Sequence, residues 1–403
     1  MEVRIIKGTN QIGGCITEIK EGNTKIIIDF GEDLDTTKES IELDGLTKNK
    51  STYDAVFITH SHGDHIGLIN RINENIPVYI EEKSLKIHNL TCDFCNKERV
   101  NRKVNTFSLM NNEPIFINSD LKVTPFITDH SSYNSCMYLI ESKDKKILHT
   151  GDFRNHGRKQ YLFNKIIKQI GKVDLLITEG TTLSRSTGKY KTEIELEKEA
   201  LEIMKEYDQV LILQSSTNID RTVSFIKAAL KTNKKFVLDL FSYYLNKEID
   251  FNVKVDNKKI FVRIPFIYKE RKEQWFKDKY LNIETSSNHY PNFVMEVKES
   301  MLIDIKSIYK RGAFKNACII YSMWDGYKKQ NSKLKRFLSE IEKMNITFKE
   351  LHTSGHADLE AMKYLNETVN PDNTIIIHTE NTKEGKNIFN NVITLNDNET
   401  FKL

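Results

Sequence analysis

The apolar run Ala55 to Thr59 leads straight into His60-Ser61-His62-Gly63-Asp64-His65, and this junction restricts the fold more than any other stretch of the chain. A short run that is apolar throughout reads as a strand covered on both faces, so the polar cluster falls at a strand end, where a loop can turn side chains into a cleft. In an extended segment His60 and His62 project to the same side. Gly63 lets the chain turn, so that Asp64 and His65 face a second position. Two metal ions can then lie side by side. Imidazole and carboxylate donors together suit zinc or manganese, and an adjacent pair of ions can generate hydroxide and stabilise a phosphoryl-transfer transition state. The competing explanation is an accidental histidine-rich loop. Four donors within the six residues 60–65, at the end of a buried strand, weigh against it.

The chain has 403 residues, enough for two or three domains, and a formal net charge of only +4 with pI near 8.5. That balance permits a nucleic-acid partner without requiring one, and any basic surface must be local. No stretch approaches the roughly 20 apolar residues of a membrane span, and the opening Met-Glu-Val-Arg-Ile-Ile-Lys lacks the apolar core of a signal peptide. The expectation is a cytoplasmic protein with no membrane partner. Five cysteines at irregular spacing do not form a disulfide framework and fit a reducing compartment.

Short β-like runs open the chain at Val3 to Ile6, Cys15 to Ile19 and Lys25 to Asp29, with Glu21-Gly22-Asn23 as a hairpin turn. Lys146 to His149 and Asp174 to Thr178 are again apolar enough for buried strands. Leu162 to Ile170 and Glu193 to Tyr207 have helical spacing, and the class is α/β. From about Thr187 to Asn345 the pattern becomes a unit of its own. Val210 to Leu213, the helix Asp220 to Leu230 and the strand Phe236 to Leu240 predict a parallel βαβ segment. After Asn345, His356 precedes an amphipathic helix carrying Leu359, Met362 and Leu365, and His378 closes the run Thr374 to Ile377. The predicted organisation is a first domain in two parts, 1–186 and 346–403, with 187–345 inserted between them.

These motifs in this order resemble the metallo-β-lactamase superfamily, whose fold is an αββα sandwich. Asp29, in Ile28-Asp29-Phe30-Gly31, matches the aspartate that supports the ligands from behind, although a turn aspartate is a competing explanation for that position alone. His130, in Thr128-Asp129-His130-Ser131, matches a further ligand. Asp152, in Thr150-Gly151-Asp152-Phe153-Arg154, matches a bridging carboxylate. The second half adds Glu179-Gly180-Thr181 after an apolar strand, Ser354-Gly355-His356-Ala357 before a helix, and His378 at a strand end. These resemble the extra motifs of the β-CASP nucleases, the group that includes ribonuclease J and the endonuclease subunit of the cleavage and polyadenylation specificity factor. The inserted unit then corresponds to the α/β β-CASP domain, and Gln214 to Arg221 resembles the loop and helix that begin it. The resemblance is weakest between Asp250 and Ser307.

The resemblance implies one ion held by His60, His62 and His130, another by Asp64, His65 and His378, and Asp152 bridging. The two divalent ions are expected to be Zn2+, with Mn2+ as the alternative, and a hydroxide between them would attack phosphorus. It implies that His356, oriented by Glu179, contacts the scissile phosphate, and that Asp64 and Glu179 join it as catalytic residues. Ser354 and Gly355 are phosphate-binding candidates at a helix N-terminus. His378 points to RNA as the substrate, because relatives specialised for DNA commonly carry an apolar residue there, and the expected RNA is single-stranded. The expected protein is a metal-dependent ribonuclease. A small-molecule metallo-hydrolase of the same fold and a catalytically silent RNA-binding scaffold are the alternatives, and oligomeric state is undetermined. Relative to ribonuclease J the sequence stops soon after Leu395 without a further carboxyl-terminal domain, and the acidic motif is Glu-Gly-Thr.

Other signals carry less weight. Cys92-Asp93-Phe94-Cys95 is a C-x-x-C without a second pair, with His88 nearby, and buried or free thiols explain it more readily than zinc or redox chemistry. Trp324 to Phe337 interleaves Trp324, Tyr327 and Phe337 with lysines and Arg336. Base stacking and phosphate contact suit that mixture, but a solvated amphipathic helix suits it better. Arg154, Arg158 and Lys159 are competing phosphate contacts. His149 is expected to pack at a strand end, and His156 and His352 are candidates for supporting the ligands.

Overall fold

The computed structural model describes residues 1–34, 41–185, 188–249, 260–263 and 292–403. Most of the stretch where the resemblance is weakest, 250–259 and 264–291, lies outside the described residues. The chain forms two compact units, Met1–Tyr190 with Gly355–Leu403, and Lys191–Ser354.

The first unit contains two seven-stranded sheets. One is built from β1 (Glu2–Lys7), β2 (Ile16–Glu21), β3 (Thr24–Ile28), β4 (Ala55–Ile58), β5 (Val78–Glu81) and β6 (Asn105–Phe107) in sequence order, closed beside β1 by Thr400–Lys402. The other runs from β7 (Ile115–Phe116) through β8 (Lys122–Ile127), β9 (Cys136–Glu141), β10 (Lys146–His149) and β11 (Leu175–Glu179) to two strands of the returning segment, Asn373–Ile377 and Val392–Ile393. Alternation along each strand explains the layers. Ile26, Ile28 and Phe57 join Tyr138, Ile147, Leu175 and Ile377 in the core between the sheets, whereas Ile27, Val56 and Ile58 pack outward on Ile66 and Ile69. On the other outer face Leu148, Leu176 and Ile376 meet Phe163 and Ile167 of the helix Gln160–Ile170 and Met362 and Leu365 of the helix Leu359–Val369. Strands apolar on both faces therefore produce an αββα sandwich.

The second unit is a six-stranded sheet whose recorded pairings are all parallel. Its strands are β12 (Gln209–Leu213), β13 (Lys235–Asp239), β14 (Ile260–Arg263), β15 (Phe293–Val297), β16 (Ala317–Tyr321) and β17 (Thr347–Glu350). The helix Glu193–Glu206 starts on a capping box, in which Thr192 Oγ1 accepts from the Glu195 amide at 3.1 Å and the Glu195 carboxylate accepts from the Thr192 amide at 2.8 Å. β12 and β13 are parallel strands joined by a helix, as the βαβ pattern predicts, with β15 between them and paired with both. One expectation changes. The second unit runs past Asn345, since β17 adds to the edge of its sheet against β16 and the unit ends at Ser354. Only long-range pairing decides either point.

Arg221 and Glu193 form an ion pair at 3.0 Å with both side chains fully buried, and Arg221 also donates to the Thr353 carbonyl at 2.9 Å. Phe337, counted in sequence among aromatics that might stack bases, is a core residue of this unit, while Trp324 and Tyr327 are exposed. Lys328 of the same segment is occupied by Asp325 and Glu350.

A buried polar group lies at the carboxyl ends of β12, β13 and β15. Gln214 Nε2 donates to Glu296 Oε1 at 2.7 Å, Ser242 Oγ donates to Asp239 Oδ2 at 3.1 Å, and Lys298 Nζ lies 3.3 Å from Asp239. Burial, reinforced by the Asp239 charge and opposed by Lys298, pushes the Glu296 carboxyl up to about 7. A carboxyl raised on folding stabilises the fold fully below its unfolded value and loses that contribution as pH rises through the folded one. The unfolding midpoint of the second unit is therefore expected to fall between pH 5 and pH 8. Glu296→Gln should flatten that fall, by an amount on the order of a few kcal/mol, in urea titrations followed at both pH values.

Candidate metal centre

Each donor in the first unit follows the carboxyl end of a strand. Asp29 succeeds β3, His60 to His65 succeed β4, His130 follows β8, Asp152 follows β10, Glu179 ends β11 and His378 succeeds the strand Asn373–Ile377. β11 pairs in parallel with that last strand, Glu179 opposite Ile377, so the register itself carries His378 to the level of the Glu-Gly-Thr loop. Asp29 and His378 adopt left-handed backbone, φ 62° and 54°. Their amides are held by the carbonyls of Phe57 at 2.8 Å and Gly8 at 2.7 Å, which fix a conformation that non-glycine residues seldom take.

His60 Nε2 lies 3.1 Å from His62 Nδ1, and His62 Nδ1 lies 3.4 Å from His130 Nε2. Ring nitrogens bound tetrahedrally to one zinc ion at about 2.05 Å stand roughly 3.3 Å apart, so these three fit a single ion. Their other ring nitrogens set the tautomers: His60 Nδ1 lies 3.0 Å from Thr59 Oγ1, and His130 Nδ1 donates to the Gly355 carbonyl at 2.7 Å. Burial holds all three imidazoles below their ordinary pKa, which keeps them neutral and able to donate a lone pair.

On the other side Asp64 Oδ2 stands 3.2 Å from His378 Nε2 and 3.9 Å from His65 Nε2. Asp152 Oδ2 is common to both sides, at 3.3 Å from His65, 3.8 Å from His60 and 3.9 Å from His130 and His378. Burial opposes ionisation of Asp152, but the surrounding imidazoles outweigh it and hold the carboxyl well below the usual range. Asp29 accepts from His65 Nδ1 at 2.7 Å and from the Thr59 amide at 2.7 Å, so it orients one donor and anchors the strand end that carries the others. The His and Asp side chains gathered around Asp152 thus fit a divalent-metal centre.

Glu179 accepts from the Phe153 amide at 3.0 Å and lies 3.0 Å from His356 Nδ1, while His356 Nδ1 is 3.7 Å from Asp152. Burial opposes protonation of His356, yet the Glu179 and Asp152 carboxylates push it up to about 9. Glu179 thus engages His356 through Nδ1.

The contact recorded for Gly355 at this site is through its carbonyl, on His130, and a Cβ there would meet Ser131 Oγ at 2.6 Å. Ser354 belongs to the second unit. Arg154, a proposed phosphate contact, is fully buried and pairs with Asp129 at 3.2 Å. His149 is buried and its Nδ1 accepts from the Gly151 amide at 3.1 Å. His156 packs on Tyr190, and His352 lies 3.4 Å from Arg221 in the second unit. Two residues acquire roles that the sequence did not suggest. Thr181 Oγ1 lies 2.7 Å from His378 Nδ1, and the Cys15 sulfur is within 4.8 Å of ring nitrogens of His65 and His378. The Glu-Gly-Thr motif was legible, but the partner of its threonine is 197 residues away.

Fold and donor set together are those of a metal-dependent hydrolase, and part of the chain is similar to the metallo-β-lactamase superfamily. Residues 24–212 match the family model described as "Beta-lactamase superfamily domain". Among curated proteins the chain is similar to ribonuclease J of Mycoplasma pneumoniae, 22% identical over 93% of this chain and 67% of that protein. It is also similar to ribonuclease J of Helicobacter pylori, 23% identical over 94% of this chain and 56% of that protein. The chain thus spans between about half and two thirds of the length of these relatives. A crystal structure of a protein of unknown function from Enterococcus faecalis V583 shares the fold, with TM-score 0.78 and 20% identity over 100% of this chain and 99% of that one.

Thr181→Val and Asp29→Asn each remove the group that fixes the far side of a donor imidazole. Each is expected to weaken metal retention about 10- to 100-fold in dialysis against a calibrated chelator. Thr181→Val should affect one ion of the two, because its partner His378 lies on the Asp64 side.

Proposed function

We propose that the protein is a metal-dependent ribonuclease that cleaves single-stranded RNA at the site around Asp152. The observation that carries this reading is the His356–Glu179 pair, 3.0 Å apart and adjoining the bridging carboxylate, in addition to a full donor set for two ions. A plain metallo-hydrolase needs the ions and their donors. A phosphodiester adds one negative charge shared by two non-bridging oxygens and a poor leaving alkoxide, for which a protonated imidazole beside the ions is suited.

When bound, the two divalent ions, Zn2+ or Mn2+, supply Lewis acidity that lowers the pKa of a water and offsets charge on the phosphoryl oxygens. The chain's own residues do the rest. His60, His62 and His130 are held neutral by burial and present lone pairs to one position; Asp64, His65 and His378 present donors to the other. Asp29 and Thr181 keep His65 and His378 in register. His356, fixed through Nδ1 by Glu179, offers Nε2–H to a non-bridging oxygen or to the departing oxygen. Gly355 serves through its carbonyl, which sets the tautomer of His130. The similarity to proteins named ribonuclease J supports RNA as the substrate class.

The test uses matched 5′-labelled single-stranded RNA and DNA with zinc and manganese added separately. RNA cleavage should be lost in Asp64→Ala, whereas His356→Ala should keep both ions and lose about 10²- to 10⁴-fold in rate. Unimpaired cleavage by metal-loaded His356→Ala would remove the role given to that residue. No RNA cleavage by wild-type protein carrying both ions would favour a small-molecule hydrolase, or an RNA-binding scaffold if RNA is retained without turnover.

A further inference from the structure

We propose that Cys15 is a further metal ligand, whose sulfur joins His65 and His378 on the Asp64 side and makes that position softer than the all-imidazole one formed by His60, His62 and His130. The proposal rests on the reading of the donors around Asp152 as a metal centre and is independent of which substrate the centre serves.

The Cys15 sulfur, a ring nitrogen of His65 and a ring nitrogen of His378 all lie within 4.8 Å of one another, and all three residues are buried. His60, His62, His130 and Asp152 converge to the same degree on the other side. His65 adds a second observation. Its Nδ1 donates to Asp29 at 2.7 Å, which leaves Nε2 with a lone pair, and Nε2 is buried without a well-aligned hydrogen bond among the described residues. Asp152 Oδ2, 3.3 Å away, stands there as another donor to metal. A buried nitrogen in that state is costly unless a cation takes its lone pair.

Backbone contacts hold the sulfur in place. Cys15 immediately precedes β2, packs in the core between the sheets, and donates its amide to the Asp64 carbonyl at 3.2 Å. The loop before it starts at Gly8, whose carbonyl accepts the His378 amide at 2.7 Å and where a Cβ would come within 3.1 Å of the Cys15 sulfur. One short stretch of chain therefore braces Asp64 and His378 and carries the sulfur beside them. Without an ion, burial and the Asp152 and Asp64 carboxylates keep the thiol protonated. On coordination the thiol gives that proton to solvent and its sulfur lone pair to the metal. Thiolate selects zinc, whereas carboxylate also suits manganese, so Cys15 would bias this position towards zinc.

The full chain, purified reduced, is loaded with cobalt, and metal per chain is measured together with the near-ultraviolet spectrum. Wild type should show a sulfur-to-cobalt band that persists in Cys92→Ser and Cys95→Ser and is lost in Cys15→Ser, and Cys15→Ser should release zinc to excess manganese faster than wild type. X-ray absorption of the zinc-loaded wild type should show sulfur at about 2.3 Å, a readout that needs no variant if Cys15→Ser fails to fold. Bound ions with no sulfur signal, or a band that survives in Cys15→Ser, would overturn the proposal and leave the metal centre standing. Wild type that binds no ion would overturn both.

Discussion

Asp152 is the side chain on which the rest of the site depends. One of its oxygens lies between 3.3 and 3.9 Å from nitrogens of His60, His65, His130, His356 and His378, and the residue is almost completely buried. An ionised carboxylate in such a place is costly unless positive charge gathers round it. Protonated imidazoles or divalent cations can supply that charge, and the neighbouring carboxylates of Asp64, Asp29 and Glu179 increase the demand. Electrostatic need and donor geometry therefore point to the same ligand.

That concentration of polar groups is tolerated because the two sheets meeting behind it are apolar on both faces. The strands end at a common edge, and their last residues switch from Ile, Leu and Phe to His, Asp and Glu. Backbone bonds at Asp29 and His378 hold unusual conformations where the chain turns out of the sheet. Rigidity comes from the core, and chemistry comes from the residue after each strand. The second unit repeats this polarity, since Glu296, Asp239 and Lys298 also gather at the carboxyl ends of buried parallel strands.

The sequence made some parts of this legible because they are local. The run from His60 to His65 holds its own spacing, and strand runs such as Ala55 to Ile58 needed only their apolar character. Other parts were hidden because they depend on partners far away in the chain. Arg154 looked like a phosphate contact until Asp129 was found against it, and Phe337 looked available for stacking until its packing was known. The Gly355 carbonyl serves His130, 225 residues earlier, a partnership that no local pattern announces.

By itself, then, the sequence determined where strands and helices form, which residues end them and what kind of ligand those residues can hold, since periodicity and donor chemistry act over a few residues. Tertiary structure alone decided the rest. It set β15 between β12 and β13, gave β17 to the second unit, buried Arg154, and joined Thr181 to His378. Those outcomes depend on strand order and register, which arise from the packing of whole surfaces and leave no pattern in any short stretch of chain.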